Sequence, residues 1–354
     1  MIEAAGARTV FSEPSAHRLT RQIARLEPAL RDLVRLRDDY AYTTDVVSAL
    51  AAAPPGTMLA DREGRLIGVR LGGAEDVALS AAFEAGAPAP AGSRDAVGLV
   101  GRYDPKLRRI ARPVALPADD PGAERALFDA SYKGVTDIVT KRVWPAPAFQ
   151  AVRWCARHGI SPNLVTAVSG VLVLAVFALF WQGQFWAGIV LGWLMCFLDT
   201  VDGKLARVTL TSSRIGDIAD HGIDLVHPPF WWWAWAVGAG MGGDGGAAAL
   251  LGPALAVIVA GYVAQRLEEG WFIARFRADM HTWRPFDSAF REITARRNPN
   301  LLILMAFTAF GLPAEGLVAV AAWVAICFVV HLLRILQAHL ALRHGPVVSW
   351  MAEP

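Results

Sequence analysis

The sequence predicts an all-α membrane domain of six transmembrane helices with an interfacial amphipathic helix, preceded by a small cytosolic α/β domain. Hydrophobic residues make up 54% of the 354 residues and are concentrated in the second half of the chain. After Asn163, apolar segments long enough to span a bilayer follow one another. Before Ser131, the composition is that of an ordinary soluble domain. We therefore expect a soluble domain at residues 1–117, a linker with interfacial helices at 118–158 and a membrane domain at 159–345.

The front domain shows both helical and strand patterns. Apolar residues recur at three- and four-residue steps over residues 19–36, which predicts a helix. Residues 57–60 and 65–71 predict a β-hairpin, residues 74–85 a helix and residues 97–100 a further strand. The domain contains no glycine-rich nucleotide-binding motif, so its sequence gives no local support for a separate nucleotide-binding activity.

The segment between the two domains is basic and then amphipathic. Its basic run, which predicts either a solvated face or a patch against anionic lipid headgroups, consists of Arg102, Lys106, Arg108, Arg109 and Arg112. Residues 113–121 have the composition of a linker. Residues 126–158 are amphipathic and carry Trp, Arg and Lys, which is typical of helices lying in the membrane interface. Pro145 and Pro147 divide this segment, and we expect two short helices.

Six apolar segments predict the transmembrane helices. We place them near residues 164–181, 185–202, 219–237, 247–263, 301–311 and 317–335. Ser161 and Pro162 have the residue types that cap and begin a helix, so they predict the start of the first span.

The distribution of Lys and Arg predicts the orientation of these helices. The connections at residues 182–184, 238–246 and 312–315 contain no Lys or Arg, whereas the opposite connections are rich in both. By the positive-inside rule, the basic side and both termini face the cytoplasm. Residues 1–15 lack an apolar segment of signal-peptide length, which agrees with a cytosolic front domain. We expect a multi-pass protein of the inner cell membrane.

Four aspartates lie at the cytoplasmic ends of the second and third predicted spans. Asp199 and Asp202 are i,i+3 neighbours, and Asp220 and Asp224 are i,i+4 neighbours, so each pair projects from one face of its helix. Two such helices facing each other would gather four carboxylates in one pocket, which requires bound cations for stability. Carboxylates at the membrane are energetically costly and usually functional.

The full spacing is D-x2-D-G-x2-A-R-x8-G-x3-D-x3-D, from Asp199 to Asp224. It resembles the signature of the CDP-alcohol phosphotransferases, and every fixed position of that signature is present. The resemblance covers the membrane part, from about Ser131 to the C-terminus. It implies transfer of a phospho-alcohol group from a CDP-alcohol to an acceptor hydroxyl, with release of CMP.

The resemblance also implies roles for individual residues. Asp199, Asp202 and Asp220 would bind Mg²⁺ or Mn²⁺, and Asp224 would take the proton from the acceptor hydroxyl. Two ions suit this site better than one, because four carboxylates exceed the needs of a single ion. The donor, CDP-diacylglycerol or another CDP-alcohol, would contact both Asp199 and Asp202 and also Gly203, Ala206, Arg207 and Gly216. Gly203 would let the cytidine approach the backbone, and Arg207 would hold a phosphate oxygen, although positive-inside bias alone also accounts for Arg207.

The acceptor is less well defined. The residues 131–137 and the α/β domain before them resemble fused family members that make inositol phosphodiesters, in which the front domain is a cytidylyltransferase. Here we expect a degenerate or structural version of that domain. A phosphorylated polyol would then be the acceptor, and its candidate ligands are Arg153, Arg266, Arg275 and Arg277, which positive-inside bias explains equally well.

A membrane transporter or proton pathway is the alternative function, because it also uses intramembrane carboxylates. Such sites are expected near the bilayer midplane on broken helices, whereas these aspartates cluster at the cytoplasmic ends. The small residues 247–249 and Gly252 would permit close helix contact, and with the family resemblance they predict a homodimer. We expect the lipid bilayer as a partner and no nucleic acid.

Overall fold

A computed structural model describes residues 8–73, 76–211 and 214–352, and the side chains of residues 214–221 lie outside this description. The chain forms two compact units. The first contains Met1–Lys133, Phe149–Ile160 and Lys204–Thr211, and the second contains Gly134–Ala148, Ser161–Gly203 and Ser212–Pro354.

The first unit combines short strands with short helices. Its strands are β1 Thr9–Val10, β2 Glu13–Pro14, β3 Val34–Leu36, β4 Tyr40–Tyr42, β5 Met58–Ala60, β6 Leu66–Arg70, β7 Tyr103–Asp104, β8 Arg109–Ile110 and β9 Ala115–Pro117. Its first helices are α1 Ser15–Ala24, α2 Pro28–Arg31, α3 Thr44–Ala52, α4 Val77–Glu84, α5 Ala96–Val100 and α6 Ala123–Ala130. The strand order β3-β6-β5 forms an antiparallel sheet, and β4 pairs with β9. Leu50, Leu59 and Ile67 are fully buried in the core beneath these strands.

The predicted hairpin is confirmed, because β5 and β6 pair antiparallel across the turn at residues 61–65. The predicted helix at residues 74–85 is confirmed as α4, and residues 74 and 75 lie outside the described part.

The single helical pattern over residues 19–36 is wrong in its second half. Helix α1 ends at Ala24, and Glu27 is extended (ψ 138°) because Pro28 disfavours the helical conformation in the residue before it. Val34 and Leu36 then belong to strand β3, where both are buried with Arg35 exposed between them. This alternation is the two-residue period of a half-buried strand.

The strand predicted at residues 97–100 is also wrong, since this segment is helix α5. Asp95 caps it by accepting a 2.7 Å hydrogen bond from the Gly98 amide, and Gly101 ends it at a positive φ of 87°. Such a cap satisfies an amide at the start of a helix that would otherwise lack a partner. The local capping residues therefore outweigh the strand propensity of the valines.

The linker predicted at residues 113–121 is partly ordered, because strand β9 within it pairs with β4. In the basic run from Arg102 to Arg112, one residue, Arg109, fits neither the solvated face nor the lipid-facing patch. Arg109 is buried and donates to the carbonyl oxygens of Asp129, at 3.1 Å, and Ala130. A buried guanidinium needs such acceptors, so Arg109 stabilises the fold of the first unit instead of facing lipid or solvent.

The remaining helices carry most of the apolar residues. They are α7 Ile138–Arg142, α8 Pro145–Arg157, α9 Pro162–Trp181, α10 Phe185–Val208, α11 Arg214–Gly238, α12 Leu251–Phe276, α13 Pro285–Phe290, α14 Arg297–Ala309 and α15 Pro313–Ala341. Short 3₁₀ helices lie at Gly246–Leu250 and Met280–Thr282. The two helices predicted over residues 126–158 are thus three, α6, α7 and α8. Pro145 and Pro147 lie in the first turn of α8, where a missing amide proton costs no helical hydrogen bond.

Four of the six predicted spans lie within single helices, namely α9, α10, α11 and α15. The predicted span 247–263 begins in the 3₁₀ helix Gly246–Leu250 and continues in α12, and the predicted span 301–311 extends two residues beyond the end of α14. Four described segments are long and apolar enough to cross a membrane: Pro162–Trp181, Phe185–Val208, Gly246–Phe276 and Pro313–Ala341. The protein therefore has the helices of a membrane protein, and the count of six spans is not confirmed. The start of α9 is confirmed, because the Ser161 hydroxyl accepts a 3.2 Å hydrogen bond from the Leu164 amide.

Helix α7 is held by residues far along the chain in the second unit. Asp137 caps the helix by accepting from the Val139 and Thr140 amides, and it also accepts from Asn298 Nδ2 at 3.0 Å. Glu292 binds Lys141 Nζ at 2.6 Å and Arg142 Nη2 at 3.1 Å. The segment before the first span is therefore joined to the connection between α13 and α14.

Candidate active site

Two predicted site residues, Asp199 and Asp224, converge on one guanidinium. Asp199 lies on α10 and Asp224 on α11, and Arg297 is the first residue of α14. Arg297 Nη2 donates to Asp199 Oδ2 at 2.7 Å, and its Nη1 donates to Asp224 Oδ1 at 2.6 Å. The side chains of Arg297 and Asp199 are 13% and 19% exposed, whereas that of Asp224 is 43% exposed. The site therefore holds one positive group between two carboxylates, and Asp224 is the carboxylate more accessible from outside.

Asp202 is the most deeply buried of the described aspartates, with 3% of its surface exposed. Thr166 Oγ1, on α9, donates to Asp202 Oδ2 at 2.7 Å. A buried carboxylate is costly unless it is hydrogen-bonded, and the hydroxyl offsets part of that cost. Helix α9 therefore helps to orient Asp202.

The donor-binding residues predicted at the end of α10 belong partly to the first unit. Arg207 Nη1 lies 3.4 Å from the carbonyl oxygen of Ser131, and the ammonium of Lys204 lies 4.0 Å from the centre of the Tyr132 ring. Gly203 and Ala206 are half-buried on the same helix. Residues 131 and 132 of the predicted interfacial segment thus contact the basic end of the signature helix.

Asp220 and Gly216 lie on α11, and their side-chain environment falls outside the described part of the structure. Their assignments as metal ligand and donor contact therefore stay predictions.

Comparison with known proteins supports this site. The sequence model of the CDP-alcohol phosphatidyltransferase family matches residues 159–291, which contain all four aspartates of the signature. Residues 159–291 are therefore similar to a CDP-alcohol phosphatidyltransferase domain. Nothing in the comparisons supports the transporter alternative.

One curated relative is an archaetidylinositol phosphate synthase from Pyrococcus horikoshii, which is 40% identical over 70 residues. The aligned segment covers 20% of this chain and 37% of the relative, so the chain spans little more than a third of the relative's length. A solved structure of Mycobacterium tuberculosis phosphatidylinositol phosphate synthase with CDP-DAG bound is 17% identical, with a TM-score of 0.40. That alignment covers 52% of this chain and 92% of the other.

Each of the four arginines predicted to bind the acceptor has its own local environment. Arg153 Nε lies 2.9 Å from Glu124 Oε2 in the first unit. In the second unit, Arg266 Nη1 lies 3.8 Å from Glu269 Oε2, and Arg275 lies over the Phe276 ring. Arg277 ends α12 in the left-handed conformation, with φ 57°. Their role in acceptor binding stays a prediction.

Arg297 is a residue of the candidate site that sequence analysis missed, as it missed Thr166. Arg297 lies outside the signature, and its position among the many arginines of the side predicted to be cytoplasmic made it resemble a positive-inside residue. One signal was available: two successive arginines, Arg296 and Arg297, are separated by only three residues from Leu301, where the predicted fifth span begins. Arg297 is the one whose side chain is directed to the aspartates, whereas Arg296 pairs with Glu269.

The described residues fit a divalent cation in their chemistry. Carboxylate oxygens are the ligands that Mg²⁺ and Mn²⁺ prefer, and the Arg297 guanidinium shows that Asp199 and Asp224 together hold a positive group. Among the side chains that the structure describes, no group of three or more His, Cys, Asp or Glu residues meets at one point. Asp220, the third predicted ligand, lies outside that part. The case for a divalent cation at this site therefore rests on Asp199 and Asp224, whose carboxylates both bind the Arg297 guanidinium.

Proposed function

We propose that this protein is an integral membrane CDP-alcohol phosphotransferase that makes a phospholipid or an inositol phosphodiester. The observation that carries the proposal is the convergence of Asp199 and Asp224, from two helices of the phosphatidyltransferase domain, on one positive group. A site that holds positive charge between carboxylates suits a reaction in which a negatively charged phosphoryl group is transferred.

In this reaction the acceptor hydroxyl oxygen attacks the phosphorus that bears the alcohol. A new P–O bond forms, the P–O bond to CMP breaks, and CMP leaves with the bonding electrons. Asp224 takes the proton of the hydroxyl. Its 43% exposure supports this role, because the base has to reach an incoming substrate.

Asp199, Asp202 and Asp220 would hold Mg²⁺ or Mn²⁺, as two ions, and these ions would neutralise the diphosphate when bound. Thr166 keeps Asp202 oriented through its 2.7 Å hydrogen bond. Arg297 neutralises Asp199 and Asp224 in the arrangement described here. Arg207, with Gly203, Ala206 and Gly216, would bind the donor, because a guanidinium forms two parallel hydrogen bonds with phosphate oxygens.

For the substrates, we propose CDP-diacylglycerol or another lipid-linked CDP-alcohol as the donor and a phosphorylated polyol as the acceptor. The name of the relative, archaetidylinositol phosphate synthase, supports an inositol phosphate acceptor. Arg153, Arg266, Arg275 and Arg277 remain its candidate ligands.

The proposal includes the membrane arrangement. Six spans would place the site and both termini on the cytoplasmic side of the inner membrane, with α11 and α14 as the two spans besides the four long apolar segments. The front domain at residues 1–117 would be a structural partner in the cytosol, and the chain would form a homodimer.

The experiment that tests the proposal is a CMP-release assay with purified full-length protein. CDP-diacylglycerol is supplied with a panel of acceptors that includes inositol and inositol phosphate, in Mg²⁺ or Mn²⁺. We expect CMP release that depends on the acceptor and stops in excess chelator. Full activity in excess chelator would exclude the proposed metal dependence, and absence of CMP release with every CDP-alcohol donor would contradict the function itself.

A further inference from the structure

Two arginines of helix α1 and Arg25, the residue directly after it, bind the end of the signature helix α10. Arg18 donates to the carbonyl oxygen of Val208, Arg21 to that of Thr209 at 2.8 Å, and Arg25 to that of Leu210 at 2.6 Å. All of these residues belong to the first unit. Side chains from α1 and its C-cap residue therefore bind three successive carbonyls, those of the last residue of α10 and of the two residues after it.

This contact has the chemistry of a helix cap. The last four carbonyls of an α-helix lack partners within the helix and carry its negative partial charge. A cationic hydrogen-bond donor such as arginine supplies a partner for the carbonyl and a positive charge beside the negative end of the helix. Leu210 has a positive φ of 56°, the left-handed conformation that commonly ends a helix.

Arg18 is the most deeply buried of the three arginines. It is 3% exposed, and burial lowers the pKa of its guanidinium to about 10, so the group remains charged at neutral pH. A charge is costly to bury unless it is paired. Arg21 also pairs with Glu13 through the same Nη2 that donates to Thr209, so its charge has a carboxylate partner.

We propose that Arg18, Arg21 and Arg25 are positioning residues for the donor site, because they fix the last turn of α10, which carries Arg207. The inference rests on the proposed function, in which Arg207 binds the donor phosphate. Arg207 lies one residue before Val208, so fraying of this turn would displace it directly. Asp199 and Asp202 lie one to three turns earlier and depend less on the cap.

The inference assigns a task to the front domain. Helix α1 is packed into that domain through Leu19, which belongs to the core around Leu50 and Ile67. The domain thus supplies the three arginines from a rigid support. A front domain with this task needs no nucleotide-binding loop.

The test uses the double substitution Arg21→Ala/Arg25→Ala in the full-length chain, which leaves the buried Arg18 in place. Arg31→Ala is the matched control, because it removes an exposed arginine of the same domain that donates to the Leu26 carbonyl at 3.1 Å. Three quantities are measured: the affinity for CDP-diacylglycerol, the single-turnover rate at saturating donor, and amide hydrogen exchange over residues 204–211.

We expect the double substitution to weaken donor affinity roughly tenfold, since two charge-assisted hydrogen bonds are lost. Exchange over residues 204–211 should become faster, and the single-turnover rate at saturation should change less than about twofold. Arg21→Lys/Arg25→Lys should recover part of the affinity, because lysine also donates to terminal carbonyls. The control should match the wild type in all three.

Unchanged donor affinity in the double variant would overturn the inference, whether or not exchange became faster. An equal loss of affinity in Arg31→Ala would also overturn it, since the effect would then be general to the domain. A wild-type chain that binds the donor without releasing CMP would contradict the proposed function, while a tenfold affinity difference would still support the positioning role. Absence of donor binding by the wild type would contradict both.

Discussion

The ion pairs of Arg297 allow the carboxylate site to be tested without measuring catalysis. Arg297→Gln removes the charge that lies between Asp199 and Asp224 and leaves both carboxylates in place. Removing one partner from a buried ion pair costs about 3–5 kcal/mol, because the other charge is left uncompensated. Asp224 is 43% exposed, so water compensates most of its charge, and Asp199 at 19% carries the larger share of the cost.

We therefore expect a loss of about 3 kcal/mol in the free energy of unfolding in the presence of chelator. At 2–4 °C per kcal/mol, the apparent melting temperature should fall by about 6–12 °C. A divalent cation that binds Asp199, the carboxylate with the larger share of the cost, should restore much of this loss. At a concentration 100-fold above its dissociation constant, a ligand stabilises the folded state by about 2.7 kcal/mol.

The assay is a thermal melt of detergent-solubilised protein, recorded with chelator and with a series of Mn²⁺ concentrations. Mn²⁺ should stabilise Arg297→Gln more than the wild type and should bind it more tightly, because the competing guanidinium is gone. Arg334→Gln is the matched control. Arg334 forms a bidentate pair with the buried Asp287, at 2.6 and 2.9 Å, on helices that carry none of the signature aspartates.

The control Arg334→Gln should also melt at a lower temperature than the wild type. Mn²⁺ should raise its melting temperature no more than it raises that of the wild type. Equal stabilisation of the wild type and Arg297→Gln by Mn²⁺ would refute the argument that the guanidinium and the cation share one site. Equal rescue of Arg334→Gln would show that Mn²⁺ acts elsewhere in the protein.

Three further predictions concern the proposed reaction and assembly. Asp224→Asn should keep donor and Mn²⁺ affinity and slow the chemical step by roughly 10²–10⁴-fold, the usual contribution of a positioned base; loss of metal affinity as severe as in Asp199→Asn would make Asp224 a ligand instead. Thr166→Val keeps the side-chain volume nearly unchanged but removes the 2.7 Å hydrogen bond to Asp202, so the CMP-release activity should fall. Activity equal to the wild type would show that the reaction does not require Thr166 to orient Asp202. The mass of the complex in mild detergent and in nanodiscs should correspond to a dimer, and a monomer in both would contradict the predicted homodimer.

The helices of the membrane part could be predicted from sequence because their signals are strong and local. Long apolar segments, the Ser161-Pro162 start and the fixed spacing of the aspartates each required only neighbouring residues. The larger errors occurred before the first span, where elements are short. Over residues 97–100, three apolar residues indicated a strand, whereas a single Asp95 cap determined a helix. At Val34–Leu36, the apolar spacing of the preceding residues predicted a continued helix, but these residues form a strand that pairs with β6.

The parts of the site that the sequence did not reveal depend on long-range contacts. Arg297 is separated from Asp199 by 98 residues, and Arg18 from Val208 by 190. The positive-inside rule alone explains any arginine on the cytoplasmic side of a membrane protein. The sequence therefore does not distinguish the few arginines that bind carboxylates or the carbonyls at a helix end. Only the packing of the helices makes that distinction.

The attachment of helix α7 also has a consequence for biosynthesis. Asp137 is translated 161 residues before its partner Asn298. At 5–20 residues per second, the ribosome needs roughly 8–32 s to make the intervening chain. During that interval α7 has neither Asn298 nor Glu292 to hold it, although the first spans are already available for insertion. The contacts that hold α7 form only after the connection between α13 and α14 and the start of α14 have been made. The attachment of α7 is therefore a late event of biosynthesis, completed only when all helices from α8 to α13 have been made.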